Sequence, residues 1–303
     1  MSENASPPSM RGSSPKNPWI LAARPKTLPA ALAPVVIGTG MAHAAGALHW
    51  PSAFACLACA LLVQVATNFW NDYADFRRGA DTGERLGPTR ATQAGLISPA
   101  AMRAAALITF ALTAAVSLYL CWRASWLLAI VGAASIASGI LYTGGPRPLG
   151  YLGLGEAFVL VFFGPVAVGG TYYAQALHLP PEVIVSGLAP GLLATAILVV
   201  NNLRDLETDA RAGKRTLAVR FGAAFARAEY VICIAGAAAV PPILVAMTGG
   251  HHAALAACGV VLAAVPAAAA VFTKRGRALN ATLGHTALAL LLYSVLFTAG
   301  WLA

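Results

Sequence analysis

Asn68-Phe-Trp-Asn71-Asp72-Tyr-Ala-Asp75-Phe-Arg-Arg-Gly-Ala-Asp81 closes an apolar run over about residues 52–71. A run of that length crosses a bilayer as a helix, since about 20 apolar residues span a hydrocarbon core of about 30 Å. Carboxylates at the end of such a helix are costly and mark function. Asn68, Asp72 and Asp75 stand at i, i+4 and i+7, one face of a helix.

Further apolar runs recur at about 19–42, 100–120, 125–142, 152–174, 183–203, 228–247, 253–272 and 282–302. With 58% hydrophobic and 10% charged residues in 303, the chain cannot cover a water-facing globule. The expected fold is all-α and polytopic, about nine transmembrane helices, with Pro29 and Pro34 kinking or delaying the first. Residues 1–17, polar and rich in Pro and Ser, read as a disordered tail without a signal-peptide core, and 18–303 as a single domain. The five cysteines lie in or beside apolar runs and indicate no disulfide framework.

Charge placement orients the spans. Nineteen of the twenty Lys and Arg fall on one side of a nine-span arrangement, Arg123 being the exception. By the positive-inside rule that side is cytoplasmic, which puts the N-terminus inside and the C-terminus outside. The net charge of +9 therefore reports topology and anionic partners rather than nucleic acid.

A second acidic stretch, Asn201-Asn202-Leu-Arg-Asp205-Leu-Glu-Thr-Asp209, ends the sixth run. Its Asn201, Asp205 and Asp209 again share one helix face, at i, i+4 and i+8. Four spans separate the two stretches, so both emerge on the same side of the membrane and can face each other. Carboxylates and amides in that arrangement suit Mg²⁺, which takes hard oxygen ligands and keeps part of its shell for substrate phosphates. Arg90 after Gly87-Pro-Thr, Arg147 in Tyr142-Thr-Gly-Gly-Pro-Arg-Pro, and Lys214 and Arg215 after Gly213 supply cations for a diphosphate. Arg77, Arg78, Arg220, Arg227 and the 274–277 cluster read instead as positive-inside anchors. The histidines match no zinc spacing.

These motifs, taken in order, resemble the UbiA superfamily of intramembrane prenyltransferases. The chain is most similar to the branch acting on 1,4-dihydroxy-2-naphthoate in menaquinone synthesis. The resemblance runs from Arg24-Pro-Lys-Thr-Leu-Pro29 through Asn71-Asp72-Tyr-Ala-Asp75 with Gly79-Ala-Asp81, Arg85-Leu-Gly-Pro-Thr-Arg90, Gly150-Tyr-Leu-Gly-Leu-Gly-Glu156 with Phe162-Phe-Gly164, to Asn201-Asn-Leu-Arg-Asp205 and Gly213-Lys-Arg-Thr216. Gly79 stands where the ubiquinone-type pattern has a further Asp, which favours the naphthoate branch.

The resemblance implies a bundle around a central cavity with both Asp motifs at its cytoplasmic mouth in the inner membrane. It implies Mg²⁺ on Asn68, Asp72, Asp75, Asn201, Asp205 and Asp209, with the four aspartates as the catalytic set, and ionisation of a polyprenyl diphosphate. An aromatic acceptor then attacks, and the naphthoate loses CO₂ to give a demethylmenaquinone. Lys26, Asn71, Asp81, Arg90, Tyr142, Arg147, Lys214 and Arg215 are the implied substrate-binding residues, with Lys26, Arg147 or Lys214 open as the group facing the acceptor carboxylate. Tyr142, Tyr151 and Phe162–Phe163 are candidates to shield the cation. Another aromatic acceptor is the alternative within the family. A secondary transporter is the alternative outside it, weakened because the acids gather at one membrane face rather than the midplane.

Overall fold

A computed structural model describes residues 17–79 and 86–303, and within them every regular element is helical. Asp81 and nearly all of the N-terminal tail lie outside the described residues. Asn17, the last residue assigned to that tail, instead caps the first helix by accepting a hydrogen bond from the Trp19 amide at 3.0 Å.

The helices are α1 (Pro18–Ala23), α2 (Leu28–Ala44), α3 (Trp50–Arg77), α4 (Pro99–Arg123), α5 (Leu127–Thr143), α6 (Gly155–Val161), α7 (Ala167–Ala176), α8 (Pro181–Arg204), α9 (Leu206–Arg211), α10 (Leu217–Thr248), α11 (Val260–Thr273) and α12 (Asn280–Leu302). Among the described residues eight helical segments are long and apolar enough to cross a membrane, and α5 is a shorter apolar ninth.

Breaks with a local cause interrupt two of the runs that read as continuous and the acidic stretch that follows a third. Arg24 adopts a left-handed conformation (φ +52°) and starts a 3₁₀ turn over Pro25–Thr27, which separates α1 from α2. Pro29 then falls in the first turn of α2, where its missing N–H costs nothing. Between α6 and α7 the chain passes through a π-turn at Phe162–Val166, where Pro165 removes a donor and Gly164 leaves helical geometry. Only glycine fits there, because a Cβ on Gly164 would stand 2.6 Å from the Gly187 carbonyl. The third break, at Asp205, separates α8 from α9, so the second acidic face is not one helix. Amide bonds from Asp205 to the Asn201 carbonyl (3.1 Å) and from Asp209 to the Asp205 carbonyl (2.7 Å) nevertheless continue the i→i−4 pattern and keep the three residues in line.

α8 is the most enclosed span and packs against α10, α12 and the α6–α7 segment. The main apolar core lies there, around Leu193, Tyr230, Leu244, Leu290 and Phe297. α3 lies along α4, and between α2–α5 and the α6–α7 segment a cavity of about 320 Å³ stays open.

Candidate active site

The cavity is walled by α2 (Ala31, Pro34, Val35), α3, α4 (Thr113, Ser117, Leu120), α5 (Leu128, Val131, Ser135, Gly139) and the π-turn aromatics Phe162 and Phe163. Along α3 its lining runs from Asn71 to Cys56, a rise of ~22 Å at 1.5 Å per residue. The wall is mostly apolar, and its polar end holds Asn68, Asn71 and Tyr142. The Tyr142 ring packs over Gly150 and Gly155, where a Cβ at either position would approach it within 3.4 Å.

The first acidic stretch is almost wholly enclosed, with Asn68, Asn71, Asp72 and Asp75 all buried. Buried charge needs partners, and each carboxylate has them. Asp72 accepts the Ala91 and Thr92 amides at 3.0 and 3.2 Å, tying the loop after residue 86 onto α3. Asp75 accepts from Arg90 Nη2 at 2.8 Å and from the Tyr151 hydroxyl at 3.3 Å. Asn71 Oδ1 accepts from the Thr143 hydroxyl at 2.6 Å, holding α3 to the end of α5.

The second stretch is organised by Arg204, buried at the end of α8. Its guanidinium donates to Asn201 Oδ1 at 2.7 Å, to Asn280 Oδ1 at 2.9 Å and, through Nε and Nη2, to both oxygens of Asp205. Asp209 pairs with Lys214 at 3.3 Å. Tyr151 joins the two stretches: its hydroxyl reaches Asp75, its ring carries Lys214 Nζ at 5.2 Å and Arg78 at 5.4 Å from the centroid, and its carbonyl accepts from the Arg215 amide at 2.9 Å. Burial lifts the Asp209 carboxyl above its ordinary value, Lys214 opposes that, and repulsion from Asp205 and from Asp75 on the other stretch adds to it. Burial, and then the Asp75 charge, likewise pushes the Tyr151 phenol upward.

The structure therefore gathers Asn68, Asn71, Asp72, Asp75, Arg90, Tyr142, Asn201, Asp205, Asp209 and Lys214 around one end of the cavity. Lys26, Arg147 and Arg215 are exposed, and among the described residues no side-chain hydrogen bond or ion pair ties them to the acids. Among the anchors, Arg78 sits on Tyr151 and bonds the Gly145 carbonyl, and Arg220 holds the Leu152 carbonyl at 2.8 Å. The sequence did not single out Arg204 as a site residue. The signal was available, because an Arg closing an apolar run must find partners or leave the membrane. The buried pair of Asn202 Nδ2 and Glu156 Oε1, 2.7 Å apart, was also missed.

The carboxylate and amide oxygens gathered at this end are the hard donors that suit Mg²⁺ rather than zinc or copper. Among the described residues no three Asp, Glu, His or Cys side chains close around one point. Donors spread in this way fit an ion that takes one or two carboxylates and fills its shell with phosphate oxygens and water.

The model of the UbiA prenyltransferase family matches residues 31–291. A 1,4-dihydroxy-2-naphthoate octaprenyltransferase of Mycobacterium tuberculosis is 48% identical over 72% of this chain and 75% of its own length. The Escherichia coli protein of the same name is 43% identical over 71% and 72%. Among solved structures, a UbiA homolog from Archaeoglobus fulgidus bound to GPP and Mg²⁺ superposes with a TM-score of 0.63 at 16% identity, covering 94% of this chain and all of that one. At that identity the likeness speaks for the fold.

Proposed function

The chain belongs to the UbiA prenyltransferase family, and on that premise we propose that it transfers a polyprenyl group from its diphosphate to 1,4-dihydroxy-2-naphthoate. The observation that carries the reading is the mostly apolar cavity whose polar end abuts two carboxylate-bearing helix ends. A long isoprenoid matches the wall, and a diphosphate matches the end.

Asn68, Asp72, Asp75, Asn201, Asp205 and Asp209 would hold Mg²⁺, which when bound neutralises the diphosphate oxygens and makes them a better leaving group. Arg90 and Lys214, now on Asp75 and Asp209, carry the charge a departing diphosphate needs. Asp72 supports them indirectly by fixing the 91–92 amides and so the position of Arg90. The Tyr142 and Phe162 faces line the space where an allylic cation forms, and the apolar wall keeps water from capturing it. Attack by the carboxyl-bearing ring carbon forms the new C–C bond. The C–CO₂ bond then breaks and returns its electron pair to the ring, so CO₂ and diphosphate leave and demethylmenaquinone forms in its hydroquinone state. The basic side of the bundle, with the site, faces the cytoplasm across the inner membrane.

Membranes carrying the protein, given a polyprenyl diphosphate and the naphthoate, are expected to form the prenylated product and CO₂ with Mg²⁺ and not with excess EDTA. Asp72→Ala and Asp205→Ala should abolish turnover while membrane insertion persists. Prenylation of 4-hydroxybenzoate alone, run in parallel, would overturn the acceptor. Full activity in either variant would overturn the two-stretch site.

A further inference from the structure

We infer that Gln64 is a specificity-determining residue for the acceptor, receiving a hydrogen bond from a phenolic O–H. This deepens the function proposed above and rests on it.

Gln64 lies one turn before Asn68 on the cavity face of α3, within the membrane span, where an amide is expensive without a purpose. Its orientation is decided by Thr27 in the 3₁₀ turn that follows the left-handed Arg24. The Thr27 hydroxyl donates its one hydrogen to the Arg24 carbonyl at 2.9 Å. Its lone pairs accept from Gln64 Nε2 at 3.1 Å and from Asn68 Nδ2 at 3.0 Å, which fills a hydroxyl's capacity. Turning the Gln64 amide over would set its oxygen against a hydroxyl with no hydrogen left to give. The nitrogen therefore stays on Thr27, and the carbonyl oxygen, which has no protein partner among the described residues, is left to the cavity.

The oxygen of an amide fixed in this way only accepts, whatever the second Nε2 hydrogen does on the nitrogen side. At that oxygen a diphosphate or carboxylate oxygen, which carries no hydrogen, is rejected and an O–H is taken. Asn68 lies ~6 Å along the helix toward the acids, so Gln64 faces the space next to the reacting carbon rather than the diphosphate. Of the two phenols on a 1,4-dihydroxy-2-naphthoate, the one beside the carboxylate bonds internally. The remote 4-hydroxyl is the free donor, and it is the group we assign to Gln64.

The test compares kcat/KM for 1,4-dihydroxy-2-naphthoate with that for 1-hydroxy-2-naphthoate, which lacks the remote hydroxyl. The ratio also contains the ring's electronic activation, which a protein substitution leaves alone. Gln64→Leu should lower the ratio about tenfold, the scale of one lost neutral hydrogen bond, while KM for the prenyl diphosphate stays unchanged. Thr27→Val, which frees the amide to rotate, should lower the ratio as well, and Thr27→Ser should restore it. An unchanged ratio in Gln64→Leu, or a loss falling on KM for the prenyl diphosphate, would overturn the assignment while leaving the acceptor reading intact. A wild-type protein inactive on the naphthoate would overturn both.

Discussion

The Asp75–Arg90 pair offers the sharpest energetic test of how the site is held together. The two side chains are 2% and 7% exposed with 2.8 Å between Nη2 and Oδ2, so neither charge has water to fall back on. Removing one partner of such a pair strands the other and costs about 3 kcal/mol, whereas exposed pairs are worth about 1 kcal/mol or less. Arg90→Gln leaves Asp75 with the Tyr151 hydroxyl as its remaining donor. Asp75→Asn replaces the carboxylate facing that guanidinium with a neutral amide. Each single variant should therefore lose about 3 kcal/mol, and the double variant about as much as either alone, giving a coupling of about 3 kcal/mol. That is roughly two powers of ten in the unfolding equilibrium. Reversible unfolding in mixed detergent–SDS micelles without divalent cations, followed through the six tryptophans, measures all four corners of the cycle. A coupling below about 1 kcal/mol would show that Arg90 is an exposed rim charge, and the account of the buried pair would fail.

Other perturbations read other parts of the structure. Asn202→Leu leaves the buried Glu156 carboxylate without its 2.7 Å donor and should cost about 2 kcal/mol in the same unfolding assay. Gly191→Val would drive a Cβ to 2.4 Å from the Leu160 carbonyl, so the yield of folded protein by size-exclusion chromatography should fall, in line with about 3 kcal/mol of overpacking. For Asp209 the folded carboxyl lies above its ordinary 3.8, so the native state keeps a proton that the unfolded chain has released. Stability should fall as pH rises from about that value through the folded one and level off above it; in metal-free buffer Asp209→Asn should remove this slope.

Much of the molecule was legible because bilayer burial is a one-dimensional constraint. Nine apolar runs, the bias of basic residues and two acid-ended spans, the second and the sixth, predicted a helical bundle with one polar mouth, since a span must be apolar and about 20 residues long whatever it packs against. Breaks within the runs were less visible, because Arg24 and Pro165 interrupt helices inside runs that remain apolar overall.

Partner choice was not legible at all. Arg90, Arg147, Lys214 and Arg215 are all cations on the same side of the bundle, yet of these only Arg90 and Lys214 meet an acid among the described residues. That selection depends on Tyr151 reaching Asp75 across 76 residues of chain, and on Arg204 meeting Asn280 across another 76. The orientation of Gln64 depends likewise on a hydroxyl 37 residues away. Sequence by itself determined which segments are apolar enough to span and which of their ends carry the acids, because hydropathy and helical period act locally. Tertiary structure alone decided which buried charge neutralises which, because a hydrogen bond acts over about 3 Å and its partner can come from anywhere in the chain.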